Sequence, residues 1–444
     1  MSTEVCIDAN WVAPAIPELK IIERNGSWLC LNPEVPAWLC TTKSGALLLQ
    51  LADGTLSVSE IRSLLEANEI SVPLDRLTGF FQSVAKAKLF DRPQQNGTAP
   101  WESRRLKAMY LHLTNRCNLQ CVYCYRESSP YLPVLHDAGR FREMFEYVKP
   151  FTAPGMEVTF SGGEPLMHPG FREVVEGSLA QGYSNVLLTN ATLMTDELAD
   201  FVSERFRFVK ISLDGPNEET HSKTRGKGNF ARVLKGIRRL AERGIRVKVQ
   251  VTFMKSTLPY LNEIKEALPD LPNVNLVYTP LLPMGRGAGM DEEAIDNDTF
   301  YDFARDRRSV AKYVPGQKIR SCHAGVSNLS IADSGDVYPC HHFHASEFHF
   351  GNIFHDSFED IFFGEKIRDY VGSMDVENNN PTCQRCDVRF LCGGGCHANN
   401  LHATGCHRGT DIYCSYLKRI VYDELFDLAT YKRGRELPQQ GPDL

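Results

Sequence analysis

The sequence predicts an α/β protein: a partial six-unit (β/α) barrel between a small N-terminal winged-helix-like α+β domain and a C-terminal cysteine-rich module. Three observations predict it. Short apolar strands alternate with amphipathic helical stretches from residue 105 onward, which argues for a parallel sheet with right-handed crossovers. Ahead of them stands a hairpin signal followed by three helical stretches. After residue 313, Gly, His and Cys replace the periodic apolar residues. At 444 residues the chain is too long for one ordinary core, and two to four units are expected.

The N-terminal unit, 1–90, contains Leu19-Lys-Ile-Ile-Glu-Arg24 and Ser27-Trp-Leu-Cys-Leu-Asn32 around Asn25-Gly26. Both turn residues tolerate positive φ, so this pair reads as a hairpin. Helices are expected at about 43–51, 57–68 and 74–87, the second opening on a Ser57/Glu60 capping-box pattern. Residues 91–104 are polar and carry Pro and Gly, as a linker does. The barrel is expected over 105–313, with strands at about 108–113, 156–160, 185–189, 208–213, 246–252 and 274–279. Residues 291–313 read as one more helix. A metal-stapled module is expected over 314–431, closed by a helix at 415–431, with a disordered tail at 432–444.

Composition removes several function classes. A formal net charge of −6 and a pI of about 6.1 give no bulk attraction to nucleic acid or anionic membrane. No apolar run approaches the roughly 18–20 residues of a membrane helix. The start Met1-Ser-Thr-Glu-Val-Cys6 lacks the basic-then-apolar order of a signal peptide, so a cytoplasmic protein is expected. Disulfides are rare there, and the 14 cysteines need another reason. Cys6, Cys30 and Cys40 lack ligand-like spacing and read as small buried hydrophobes. The others gather at 117–124 and 322–414, and such clustering favours metal.

The first group, Thr114-Asn-Arg-Cys117-Asn-Leu-Gln-Cys121-Val-Tyr-Cys124, directly follows the first predicted barrel strand. Barrel sites sit at the carboxyl ends of strands, so chemistry and position agree. Three close thiolates suit zinc, or a [4Fe–4S] cluster with one iron left open. Ser161-Gly-Gly-Glu-Pro165 follows the second strand, where two glycines let backbone approach a ligand and Glu164 can accept from an amine. Leu188-Thr-Asn190 ends the third strand and Ile211-Ser-Leu-Asp-Gly215 the fourth, with Arg225 shortly after. Ser212 and Arg225 suit a carboxylate, as donor and fork-shaped cation. Asn190 and Asp214 suit ribose hydroxyls or a local network.

Together these residues resemble the radical S-adenosylmethionine (SAM) enzymes. The resemblance implies that Cys117, Cys121 and Cys124 hold a SAM-binding [4Fe–4S] cluster. It implies that Gly162, Gly163 and Glu164 meet the SAM amino group and that Tyr123 offers backbone or ring to the adenine. The second group, Cys322, Cys340, Cys383-x2-Cys386-x5-Cys392-x3-Cys396 and Cys414, resembles the seven-cysteine SPASM extension of peptide-modifying members. Tyr338-Pro-Cys340, Gly351-Asn352 and the Cys392-Gly-Gly-Gly-Cys396 turn belong to that match; paired zinc knuckles are the alternative on spacing alone. By the resemblance, Cys383, Cys386, Cys392 and Cys414 fully ligate one auxiliary [4Fe–4S] cluster, and Cys322, Cys340 and Cys396 hold another, three clusters in all. Some relatives carry a further cysteine just before the position of Cys322, where this chain has Gly316-Gln-Lys-Ile-Arg-Ser321. The first auxiliary cluster then keeps an open iron, unless Cys406 or a histidine closes it. The histidines of 341–349 are assigned no role, and no catalytic side chain is assigned.

The N-terminal unit resembles the peptide-chaperone fold of the pyrroloquinoline quinone pathway, through the Asn25-Gly26 hairpin, Leu31-Asn32 and Leu51-Ala-Asp-Gly-Thr-Leu56. That resemblance implies strand addition by the leader of a ribosomal precursor peptide. The whole then resembles a radical SAM/SPASM maturase that draws electrons from a donor such as flavodoxin or ferredoxin. Cys124-Tyr-Arg-Glu-Ser-Ser-Pro130 and Gly351-Asn-Ile-Phe-His-Asp-Ser357 resemble segments of subtilosin-type thioether-forming enzymes. Cysteine thioether crosslinking is therefore expected, with carbon–carbon or ether crosslinking, or modification of a small molecule such as a tetrapyrrole, as alternatives.

Overall fold

The computed structural model describes residues 6–93, 100–305, 313–378 and 380–436. Strands β1 (Lys20–Arg24), β2 (Ser27–Asn32) and β3 (Ala37–Thr41) form an antiparallel sheet in that order. Asn25 and Gly26 take φ of 51° and 76°, so the strands turn in two residues and Arg24 faces Ser27. Helices α1 (Lys43–Leu51), α2 (Val58–Glu66) and α3 (Leu74–Lys86) bury Leu49, Ile61, Leu77 and Phe81 in a core of their own. Ser57 and Glu60 make both bonds of the capping box. Cys30 and Cys40 are buried, but Cys6 is exposed, contrary to its reading as a small core residue.

The barrel sheet is built from β4 (Leu106–Thr114), β5 (Thr152–Gly162), β6 (Ser184–Thr189), β7 (Phe208–Ser212), β8 (Arg246–Phe253) and β9 (Val274–Pro280), each parallel to the next. Helices α4 (Ala138–Val148), α5 (Phe171–Ala180), α6 (Asp196–Arg205), α7 (Glu218–Arg225), α8 (Phe230–Glu242) and α9 (Leu261–Ala267) lie between the strands in sequence. Their apolar faces recur at helical spacing; α8, for example, buries Val233, Ile237 and Leu240. These face fully buried strand residues such as Val158, Leu187, Val209 and Val249. Such a sheet has its loops, and its site, at the carboxyl ends of the strands.

Where the sequence reads as irregular, the structure adds strands. Four residues, β10 (Asn328–Ile331), pair parallel with β4, and β11 (Asp336–Tyr338) and β12 (Gly351–Asn352) extend that edge antiparallel. Segments this short carry no periodicity of their own, and edge pairing makes them strands. The helix expected over 291–313 is a turn at Asp291–Glu293 followed by α10 (Asn297–Arg305); 306–312 lie outside the described residues. Of the 91–104 linker, 94–99 lie outside them too, while its end is packed. Trp101 Nε1 donates to the Phe363 carbonyl at 2.9 Å, and the Arg104 guanidinium sits 3.8 Å from the Trp101 ring. The closing helix Cys414–Glu436 runs past Lys432, where the tail was expected to begin; 437–444 lie outside the described residues.

The N-terminal sheet seats on the C-terminal module. Leu29, Leu31, Trp38 and Cys40 share a core with Val388, Leu391, Val421 and Leu425. Arg24 pairs with Asp423 and Arg389 with Glu34 across the same seam. Among the described residues no helix is long and apolar enough to cross a membrane.

Candidate metal centres and cofactor cavity

At the carboxyl ends of β4–β8 lies a cavity of about 190 Å³. Cys117, Cys121 and Cys124 line it from the loop after β4, and Tyr123, Gly162, Gly163, Asn190, Ser212 and Arg225 line it from the predicted set. The loop is braced by backbone contacts that leave no room for side chains. A Cβ on Gly162 would meet the Thr114 carbonyl at 2.2 Å, and one on Gly163 the Arg116 carbonyl at 2.3 Å. The two glycines therefore serve strand-to-loop approach as well as the cavity wall.

Glu164 and Asp214 stand one layer behind the wall. The buried Glu164 carboxylate accepts from Thr189 Oγ1 at 2.7 Å and from the Asn190 and Leu166 amides at 2.8 and 3.2 Å. Burial pushes its pKa up to about 7, against the pull of those bonds. It ties the end of β5 to the end of β6. Asp214 accepts from Tyr123, from Thr224 Oγ1 at 2.9 Å, from Arg225 Nε at 2.6 Å and from the Thr252 amide at 3.0 Å. Burial works to raise its pKa, but the Arg225 guanidinium and these donors hold it below the usual carboxylate range. Of the two roles left open by the sequence, the local network is the one seen.

The cavity fits a cluster with an open iron. Three thiols line one wall, and donors point at sulfur: the Leu119 amide to Cys117 at 3.4 Å, Asn190 Nδ2 to Cys117 at 3.9 Å and Arg225 Nη1 to Cys121 at 3.8 Å. Hydrogen bonds to sulfur are a standard protein lever on iron–sulfur sites. Beside them, the Ser212 hydroxyl and the Arg225 guanidinium offer a carboxylate its donors. Among the described residues, no three His, Cys, Asp or Glu side chains converge as ligands of one metal ion do.

Several residues at the site were not expected. Lys210, Gln250 and Thr252 line the cavity from β7 and β8; their signal is a polar residue recurring at every second position of an apolar strand. Arg286, after β9, clamps the cysteine loop through the Cys121 carbonyl at 2.9 Å and the Ser128 carbonyl at 3.1 Å. Gly285 permits this, since a Cβ there would lie 2.6 Å from the Cys124 carbonyl.

The C-terminal cysteines fall into two sets. Gly393, Gly394 and Gly395 take φ of +67°, +88° and +74°, a run that side chains resist, and so Cys392 and Cys396 part company. Burial pushes Cys383 up to about 12, with Cys392, Cys386 and Cys414 adding their charge. Burial raises Cys340 as well, and there the neighbouring charges are Cys396 and Cys322. The thiols that neighbour one another are thus Cys383, Cys386, Cys392 and Cys414 in one set and Cys322, Cys340 and Cys396 in the other. Cys406 is exposed. His341 stacks on Tyr110 at 4.0 Å, and His344 bonds Ser330 at 2.8 Å.

Comparison with known proteins agrees with this geometry. Residues 111–268 match the Radical SAM superfamily, and residues 322–387 match an iron–sulfur cluster-binding domain, SPASM. The chain is 28% identical over 330 residues to the antilisterial bacteriocin subtilosin biosynthesis protein AlbA of Bacillus subtilis (strain 168), covering 71% of this chain and 72% of that one. It is 26% identical to an AdoMet-dependent heme synthase of Oleidesulfovibrio alaskensis, covering 69% and 86%. The fold of Streptococcus suis SuiB bound to S-adenosylmethionine superposes with a TM-score of 0.55 at 14% identity, covering 90% of this chain and 98% of that one. The chain carries a radical SAM domain and a SPASM domain, and its cofactors are [4Fe–4S] clusters and S-adenosylmethionine.

Proposed function

We propose that this enzyme matures a ribosomally made precursor peptide by forming an intramolecular cysteine thioether. The observation that carries the reading is the set Cys322, Cys340 and Cys396, three neighbouring thiols with Cys406 exposed to solvent. A fourth iron position left to a substrate thiolate suits carbon–sulfur bond formation, and similarity to the subtilosin protein AlbA supports it. When bound, the Cys117/Cys121/Cys124 cluster and S-adenosylmethionine supply one-electron reduction and hydrogen-atom abstraction from an unactivated C–H, which no side chain performs. The chain's own residues do the positioning. Ser212 and Arg225 hold the cofactor carboxylate, Asn190 and Arg225 orient thiolates, and the Gly162–Gly163 wall sets the distance between loop and ligand.

Thioether formation breaks one S–H and one C–H bond and makes one C–S bond, so the peptide loses two hydrogen atoms, that is, two protons and two electrons. Those electrons pass to the cofactors, and a flavodoxin or ferredoxin is the proposed reductant. The N-terminal sheet supplies recognition, with β1 as an outer strand able to accept an extended leader. Mass spectrometry of the precursor after anaerobic incubation with holoenzyme, S-adenosylmethionine and reductant tests the proposal. The expected product lacks two hydrogens, and only when the substrate cysteine is present. The same loss from a cysteine-free peptide would assign carbon–carbon or ether crosslinking instead. Turnover of a tetrapyrrole, with the peptide unchanged, would transfer the enzyme to the chemistry named in the heme synthase relative.

A further inference from the structure

Tyr370 lies on helix α12 (Glu365–Ser373; α11 is Phe358–Phe363) and is 6% exposed. Its ring is walled by Phe343, Phe348 and Phe350 at centroid distances of 5.5, 5.7 and 5.6 Å, and by His407 at 6.0 Å. Gly325 closes the remaining side, since a Cβ there would come within 3.0 Å of the ring. Packing of this kind asks for a phenylalanine. The hydroxyl is buried and has no hydrogen-bond partner among the described residues. A buried polar group left so costs about 1–3 kcal/mol.

The elements that wall the ring also carry the first set of auxiliary thiols. Gly325 follows Cys322 by three residues, and the Phe343 amide donates to the Cys340 carbonyl at 3.0 Å. Burial is the main influence on the phenol, and the charges that bear on it next are Cys322, Cys340 and Cys396. Cys322, Cys340 and Cys396, around which a cluster would assemble, pack against the same hydrophobic cluster that buries Tyr370.

We infer that Tyr370 is a positioning residue for the first auxiliary cluster, donating its hydroxyl hydrogen to a sulfur of the cluster held by Cys322, Cys340 and Cys396. A donor at sulfur favours the more negative, reduced cluster and raises its midpoint potential. The inference rests on the assignment of these three cysteines to one cluster.

The test is an EPR-monitored redox titration of holoenzyme carrying Tyr370→Phe, which keeps the ring and removes only the donor. The expected result is wild-type iron per chain, with one midpoint moved to lower potential. In resonance Raman spectra, the D2O shift of the Fe–S bands should be smaller in the variant than in the wild type, because amide donors to sulfur such as His342 to Cys340 remain in both. Replacing Tyr370 with 3,5-difluorotyrosine, a stronger donor, should move the same midpoint upward, which keeps the test alive if the phenylalanine form folds poorly. Unchanged midpoints overturn the inference, and so does loss of one cluster's iron, which would make the hydroxyl a ligand. Cys322→Ala separates the two layers. Undiminished iron there overturns the ligand assignment itself, whereas lost iron beside an unresponsive Tyr370→Phe overturns only the role of the tyrosine.

Discussion

Asp214 and Arg225 are both almost wholly buried, and each is the other's compensation. Asp214→Asn leaves a guanidinium buried without its counter-ion, a kind of loss worth roughly 3–5 kcal/mol. Chemical denaturation of the iron-free chain should show a drop of that size, with weakened S-adenosylmethionine binding in the holoenzyme, because Arg225 lines the cavity. Glu164 makes a pH-dependent prediction. Its carboxyl moves from an ordinary value of 4.5 to about 7 on folding, chiefly through burial. The folded chain therefore holds this proton more tightly, so its contribution is full below pH 4.5 and is lost as pH rises through about 7. Glu164→Gln cannot ionise. The stability advantage of wild type over this variant should shrink by about 3 kcal/mol across that window, measured by urea midpoints of the iron-free chain. What was legible at this scale were residues whose partners are near in sequence. The cysteine loop spans eight positions and reads directly from spacing. The partners of Glu164 and Asp214 come from other strands, so an acidic residue meant for a network reads from sequence like one meant for a ligand.

Among the elements, the strand–helix alternation of the barrel was legible because each strand is flanked by helices of clear period. Strand β10 was not, since its identity depends on β4, more than two hundred positions earlier. Lys210, Gln250 and Thr252 escaped for a related reason. Which face of a strand looks into the cavity is decided by how the whole sheet curls. The glycines after β5 carry a prediction of their own. Gly163→Ala places a methyl group 2.3 Å from the Arg116 carbonyl and must push the cysteine loop outward. Reconstituted Gly163→Ala protein should lose close to one cluster's share of iron, with the auxiliary clusters retained. Wild-type iron content would show that the loop absorbs the methyl without moving its thiols.

Across the whole molecule, the N-terminal sheet and the auxiliary module share one seam. Val388 and Leu391 lie between Cys386 and Cys392 in sequence and pack against Leu29, Leu31 and Trp38. Cys414→Ser, which removes a proposed cluster ligand, should loosen that seam. Hydrogen exchange should then quicken in β2 and β3 while the barrel strands β5 to β7 keep their protection. No feature of the N-terminal sequence announces this contact, because a hairpin reads alike whether it faces solvent or another module.

The seam has a consequence for the order in which the enzyme becomes competent. If loss of a cluster ligand loosens the seam, a newly made chain short of iron would lack a firm platform for the very sheet proposed to capture its client. On the proposed function, client capture would then be tied to metallation, and half-built catalyst would be kept from sequestering peptide that it has no means to process.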